Sequence, residues 1–243
     1  MSETIKTLLN HRSVRKYESK PIPPEDIRKA VECGQRASTS SNIQAYSLLH
    51  ITDTQKRNTL VDLTGGQPQV AQSGAFFIVC GDLRRHLILA KRAGESFKPS
   101  LEAFLLATID ATLFAQNLVI AFEAMGYGIC YIGGLRNSLP QVDELLNIPK
   151  GVLPLYGLCV GTPADTPDLK PRFTPETVCF ENEYPDDANM LELIAEYDDR
   201  CRSYYQERTG KKRDWSTTAA RKFHQPARTD LAEYYRSKGA SLD

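Results

Sequence analysis

The chain has 243 residues, 41% hydrophobic and 25% charged, which suits a folded globular protein with a sizeable core and excludes a disordered tail or a fibre. Thirty Lys and Arg balance thirty Asp and Glu, so no global field draws the chain to nucleic acid or to anionic lipid. Six cysteines without CxxC spacing read as reduced structural thiols, and with them the expected location is the cytoplasm.

Residues 4–10 read as a first amphipathic helix, not as a signal peptide, and residues 24–36 as a second helix whose Pro-Pro-Glu-Asp start suits a first turn. A basic connector separates them. Residues 45–51 and 75–80 have the branched and aromatic content of strands, with a helix at 55–63 between them that ends at Gly65-Gly66. Residues 101–125 are apolar on most of the helical circumference. Such a helix needs cover on nearly all sides, at the heart of the core or in an extensive subunit interface. Its Glu102, Asp110, Gln116, Asn117 and Glu123 argue against a membrane span.

Further strands are expected at 129–132 and 152–160, with a helix at 139–147 between them. Pro154 makes the last strand an edge, a bulge or a strand start. Residues 161–175 contain Pro163, Pro167, Pro171 and Pro175 and form the clearest boundary. It divides a core at 1–165 from a C-terminal extension at 166–243. Helices at 190–207 and 231–237 flank a polar, basic segment around Arg208 to Trp215. The extension has too few large apolar side chains for a core of its own, so it is expected to pack on the body and on a partner subunit.

Four segments have chemistry-bearing composition. His11-Arg12-Ser13-Val14-Arg15-Lys16-Tyr17 crowds cations into a connector, which is either a phosphate grip or a solvated basic loop. Ser38-Thr39-Ser40-Ser41-Asn42-Ile43-Gln44 offers hydroxyls and amides ahead of a strand, either to cup phosphate oxygens or a heterocycle edge or as a plain polar turn. Tyr131-Ile132-Gly133-Gly134-Leu135-Arg136-Asn137 runs a strand into two glycines, where a backbone can approach a planar ligand or simply turn. In Asp168-Leu169-Lys170-Pro171-Arg172 a proline spaces two cations. The chain has no GxGxxG fingerprint, P-loop, GxSxG elbow or HExxH pair, and its four histidines are scattered, so neither a Rossmann site nor a catalytic metal is supported. The chemistry is expected from a bound cofactor.

These segments, with Leu63-Thr64-Gly65-Gly66-Gln67, Ala115-Gln116-Asn117 and Trp215-Ser216, resemble the flavin-dependent nitroreductases, in particular their oxygen-insensitive NADPH nitroreductase and NADPH-flavin oxidoreductase group. The resemblance covers essentially the whole chain in order. It implies an α+β fold with a central mixed or antiparallel sheet flanked by helices, in an intertwined homodimer with FMN at the subunit interface. By that resemblance Arg12, Lys170 and Arg172 hold the FMN phosphate with help from His11, while Ser13 and Arg15 lie along the ribityl chain and ring. Thr39 and Ser41 contribute from the hydroxyl loop, Gln67 contacts the isoalloxazine, and the backbone at Tyr131, Ile132, Gly133 and Gly134 lies against the flavin. Two departures from the family pattern are Thr39, often serine there, and Asn42, a polar residue where some members carry a large apolar one.

NADPH is the implied electron donor. Arg208, Lys211, Lys212 and Arg213 stand where the group has a mobile basic loop for the 2′-phosphate, with Arg15 and Lys170 nearer the ring; a ligand-free surface loop is the plainer alternative. The implied activity is ping-pong reduction of nitroaromatics, quinones and other small planar acceptors, with no protein residue as catalytic acid. The alternatives are a dedicated NADPH-flavin reductase and a non-catalytic flavin-binding protein. No nucleic acid or membrane partner is expected.

Overall fold

The computed structural model of the chain describes residues 1–242. In chain order its main elements are α1 (Glu3–Leu9), α2 (Pro24–Gly34), β1 (Tyr46–His50), α3 (Thr54–Leu63), the short α4 (Gln69–Gln72), β2 (Ala75–Asp82), α5 (Arg84–Ala93), α6 (Leu101–Ala124), β3 (Gly128–Ile132), α7 (Leu139–Leu146), β4 (Val152–Gly161), α8 (Asp187–Thr209), α9 (Trp215–Lys222) and α10 (Leu231–Ser237). Every expected helix and strand is present, with ends shifted by a few residues. The additions are α4, α5 and α9. The last lies in what reads as a basic connector, and it starts where the Asp214 carboxylate accepts the Thr217 N–H.

The strands form one antiparallel sheet in the order β1-β2-β4-β3, and with the surrounding helices the fold is α+β. Because β4 lies inside the sheet, Pro154 does not mark an edge. The register slips where Cys80 faces Pro154 while its neighbour Val79 faces Tyr156. A bulge of this kind accommodates a residue that has no N–H to give to the ladder.

Successive residues of β2 point to opposite faces, and both faces are covered. Phe77 and Val79 pack with α2 and α6 against Phe114, Leu118 and Phe122, while Phe76 and Ile78 pack toward Leu60, Leu139 and Tyr235. That is why β2 reads as an unbroken apolar run. α6 is not surrounded within the chain. Ala107, Ala111, Phe114, Leu118 and Phe122 are buried, but Leu101, Leu105, Ile109 and Leu113, each four residues apart, are 41–54% exposed. Of the two covers expected for this helix, the chain's own core supplies only one face. By length and composition α6 is also apolar enough to cross a membrane.

The chain divides into two compact units. The first is Met1–Pro167 together with the chain from Arg228 onward, and the second is Asp168–Ala227. The extension expected from residue 166 is therefore split. Its end returns to the first unit, where α10 buries Tyr234 and Tyr235. Residues 168–227 also have a small aromatic core that the sequence reading denied them. Ring centroids of Phe173 lie 4.3 Å from Tyr197 and 4.9 Å from Trp215.

Candidate functional site

In the first unit, the segment from His11 to Tyr17 is clipped along β3. The Val14 N–H donates to the Ile129 carbonyl at 2.8 Å, Ser13 forms a parallel bridge with Ile129, and the Tyr17 hydroxyl donates to the Val14 carbonyl at 2.7 Å. Gly128 makes this approach possible: a Cβ there would lie 2.7 Å from the Val14 side chain. The connector is thus a fixed edge of the fold and not a loose loop.

Arg12 donates to the carbonyls of Asn10 and Pro167 at 2.9 and 3.1 Å and to Asn10 Oδ1 at 3.3 Å. Among the described residues it has no carboxylate partner, and neither has the exposed Arg15. Two positive charges without counter-charges fit an anion such as a phosphate. His11 is already partnered. Its Nδ1 lies 2.8 Å from Glu123 Oε1, so this nitrogen donates and Nε2 is left to face a ligand.

The end of β3 leads into the Gly133–Asn137 turn. Ile132 is fully buried, so only its backbone is on offer, and the half-buried Tyr131 packs edge-on against Tyr156. Burial pushes the Tyr131 phenol well above its ordinary pKa, which keeps it neutral. The two glycines have different reasons. A Cβ on Gly133 would meet nothing closer than Arg136 Nη2 at 3.5 Å, whereas a Cβ on Gly134 would overlap the Thr64 carbonyl oxygen and Gln67 Nε2. Gly134 is therefore the close-packing glycine and Gly133 the open one, a cradle that fits a planar ring. Arg136 is structural, with Nη1 on the Leu155 carbonyl at 2.7 Å. The Gln67 amide is held by the Thr64 carbonyl at 2.9 Å and by Gln69 Nε2 at 3.1 Å, leaving one N–H and one lone pair for a ligand.

Thr39 and Ser41 lie elsewhere. They precede β1, which is at the opposite edge of the sheet from β3, three strand spacings or about 14 Å away. Within one chain they do not join Ser13, Gln67 and Gly133. None of the hydroxyls of Ser38, Thr39, Ser40 and Ser41 makes a hydrogen bond among the described residues, so all are available to a ligand. Asn42 has φ 56°, a left-handed conformation that suits Asn and would strain a large apolar side chain.

The second unit brings Lys170, Arg172 and Arg213 to one cleft of about 180 Å³ that is also lined by Tyr205 and Trp215. Of its lining residues, Tyr197 donates its hydroxyl to the Pro171 carbonyl at 3.1 Å, and Trp215 is held by Asp198, which accepts the N–H groups of Trp215 and Ser216 at 2.8 and 2.9 Å. Arg213 lies over the Tyr205 ring and Arg208 over Tyr204, with Arg208 also 3.9 Å from Asp168. Lys211 and Lys212 are exposed and do not line this cleft.

Several contributors escape the sequence reading: Glu123 behind His11, Gln69 behind Gln67, Asp198 beneath Trp215, and Asp110, Arg85 and His86 behind the hydroxyl loop. Asp110 alone carries a visible signal, an acid on the buried side of an apolar helix. The others are ordinary polar residues, and apart from Gln69, two positions from Gln67, their partners are far away in sequence.

Residues 8–162 match the Nitroreductase family and residues 170–243 match the Nitroreductase family, C-terminal domain. The chain is 44% identical over 245 aligned residues to a protein of Bacillus subtilis (strain 168) named FMN reductase (NADPH), with 98% of each covered. It is 40% identical to the oxygen-insensitive NADPH nitroreductase of Salmonella typhimurium, again with 98% of each covered. The solved structure of the NfrA1 nitroreductase from B. subtilis superposes with a TM-score of 0.96 at 42% identity, covering 99% of this chain and 100% of that one. The chain belongs to the nitroreductase family.

Proposed function

We propose that this protein is an FMN-dependent oxidoreductase that takes electrons from NADPH and passes them to nitroaromatics, quinones and similar planar acceptors. The observation that carries the reading is the open cradle at Gly133, with the half-satisfied amide of Gln67 beside Gly134 and the Ser13 edge farther back along β3 at Ile129. The names of relatives aligned over nearly their full length, FMN reductase (NADPH) and oxygen-insensitive NADPH nitroreductase, support the same cofactor and donor.

When bound, FMN supplies the centre that accepts electrons from the nicotinamide and gives them to the acceptor. The protein's part is position and charge. Arg12 would hold the phosphate, with His11 offering Nε2; Lys170 and Arg172 are cations of the second unit suited to the same kind of anion. Ser13 and Arg15 would hold the ribityl chain and ring, and Gln67 would hydrogen-bond the ring edge with its remaining N–H and lone pair. The backbone of Tyr131, Ile132, Gly133 and Gly134 would face the ring, with no side chain at Gly133 to obstruct a second planar molecule. Positive charge from Arg15 would favour the reduced ring, and Lys170 carries the same charge in the second unit. Arg208 and Arg213, each stacked on a tyrosine, are assigned to the NADPH 2′-phosphate, with Lys211 and Lys212 adding charge.

The working unit is a homodimer. The exposed α6 stripe supports this, as does the separation of Thr39 and Ser41 from β3, which a second copy resolves by bringing its hydroxyl loop to the first copy's cradle. Six free thiols, three of them in the sheet, suit a reducing cytoplasm.

The test is FMN titration of the cofactor-stripped protein, followed by anaerobic NADPH addition. Tight uptake and rapid bleaching of the flavin's visible absorption are expected; a protein that binds FMN but is not bleached would be a flavin carrier. A dedicated flavin reductase is the second reading, favoured by the name of the 44% identical relative. Turnover with free FMN far above that with any nitroaromatic or quinone would establish it.

A further inference from the structure

The 38–44 loop has a conformation that needs support from outside itself. Ser41, Asn42 and Gln44 have φ of 48°, 56° and 54°, three side-chain-bearing residues in the left-handed region within four positions. There the Cβ crowds the backbone, and such a state persists only where surrounding contacts over-determine it.

Those contacts come from one side. Asp110, in the middle of α6 and 1% exposed, accepts the Ser40 N–H on Oδ1 at 3.2 Å and the Ala45 N–H on Oδ2 at 3.1 Å. One carboxylate thus ties together two points five residues apart, the entry and the exit of the strained stretch. Arg85 on α5 donates to the carbonyls of Gln44 at 3.1 Å and of Tyr46, and His86 donates through Nε2 to the Ile43 carbonyl at 2.9 Å. The backbone is engaged from behind while the four hydroxyls keep their hydrogen-bonding capacity.

Burying a carboxylate in an apolar helix is unfavourable unless its oxygens are well used. Among the described residues Asp110 has no ion-pair partner, since Arg85 pairs with Asp82 instead. Its hydrogen bonds go to this loop alone. We infer that Asp110 is a positioning residue: it locks the 38–44 loop in its left-handed conformation and thereby presents Thr39 and Ser41 to FMN already ordered. This rests on the FMN reading above. A loop ordered before binding gives up less conformational freedom on binding, so the effect is expressed in affinity.

The test uses the full-length protein, stripped of cofactor, as wild type, Asp110→Asn, Arg85→Gln and Arg12→Ala. Asparagine keeps the volume but turns an NH₂ toward one of the two backbone N–H groups, releasing one end of the loop without a cavity. The readouts are FMN dissociation constant, the shape of the bound flavin's visible band, apo-protein melting temperature, and amide hydrogen exchange over residues 39–46. In Asp110→Asn the expected result is FMN binding weakened about tenfold with an altered flavin band, as expected for the loss of one charge-assisted hydrogen bond. Ser40 and Ala45 amides lose protection, while α6 amides and circular dichroism stay as in wild type. Arg12→Ala weakens FMN binding but leaves exchange of the loop unchanged.

A purely structural role would lower the melting temperature and leave FMN affinity of the folded protein unaltered, and that outcome overturns the inference. So does wild-type protein in which the Ser40 and Ala45 amides exchange as fast as in an unstructured peptide, a measurement that decides even if Asp110→Asn does not fold. Arg85→Gln, on the half-exposed α5 side, is expected to weaken FMN severalfold, and wild-type affinity in it counts against the loop mechanism. Wild-type protein that takes up no FMN at saturation removes the functional reading and this inference with it, whereas wild-type uptake with undiminished uptake by Asp110→Asn removes the inference alone.

Discussion

At the scale of single residues, the two glycines after β3 separate structure from function. Gly134→Ala forces a methyl group into the Thr64 carbonyl and the Gln67 amide and is expected to cost about 1–3 kcal/mol of stability in denaturant titration. Gly133→Ala has room, so its stability should stay within about 0.5 kcal/mol of wild type while FMN affinity or acceptor turnover falls. Equal effects of the two variants on stability would contradict the assignment. Arg12→Ala removes a cation with no carboxylate partner, and FMN binding should weaken roughly ten- to hundredfold, the range for hydrogen bonds to a charged group. The sequence shows the glycine pair, but it cannot show which member packs and which lies open, because that depends on Thr64 and Gln67, some seventy residues earlier. The His11 cluster is legible as a set of cations; its partner Glu123 is invisible because the contact spans 112 positions.

At the scale of elements, periodicity locates helices and strands well because β2 and α6 are so strongly apolar. What it leaves open is which cover applies. α6 needs cover on nearly all sides, from the core or from a subunit interface, and a stripe of four large side chains lies bare in the chain. Ile109→Glu, at the most exposed of these positions, places a charge on the surface assigned to the dimer. It should shift the protein toward monomer in sedimentation, with FMN affinity falling in parallel because the hydroxyl loop of the second copy is lost. A stable, FMN-replete monomer would contradict the arrangement. α10 offers a pH test. Burial pushes the Tyr235 phenol up to about 12, and its hydroxyl donates to the Pro154 carbonyl at 2.8 Å. The folded pKa is above the unfolded value of about 10, so its contribution is complete below pH ~10 and is lost as pH rises toward 12. Melting temperature should fall across that window, and the fall should be shallower in Tyr235→Phe. α10 docks at the bulge opposite Cys80 through the Pro154 carbonyl; the proline is readable in the sequence, the tyrosine that reaches it is not.

For the whole molecule, the proline-rich stretch marks a real change of unit at Pro167, but composition gives no hint that the chain returns from Arg228 to close the first core. The return is encoded in two tyrosines whose burial depends on α7 and β4. The second unit carries cations beside aromatic rings, and the first a strand edge, a fixed amide and an open glycine. The most direct test is anaerobic mixing of the FMN-loaded protein with NADPH while the flavin absorption is followed, after titration of the stripped protein has fixed the stoichiometry. The account predicts saturable FMN uptake and loss of the oxidised flavin band within the turnover time, restored when a quinone is added. Failure to retain FMN at saturating concentration, or an oxidised band that NADPH leaves unchanged, would contradict it.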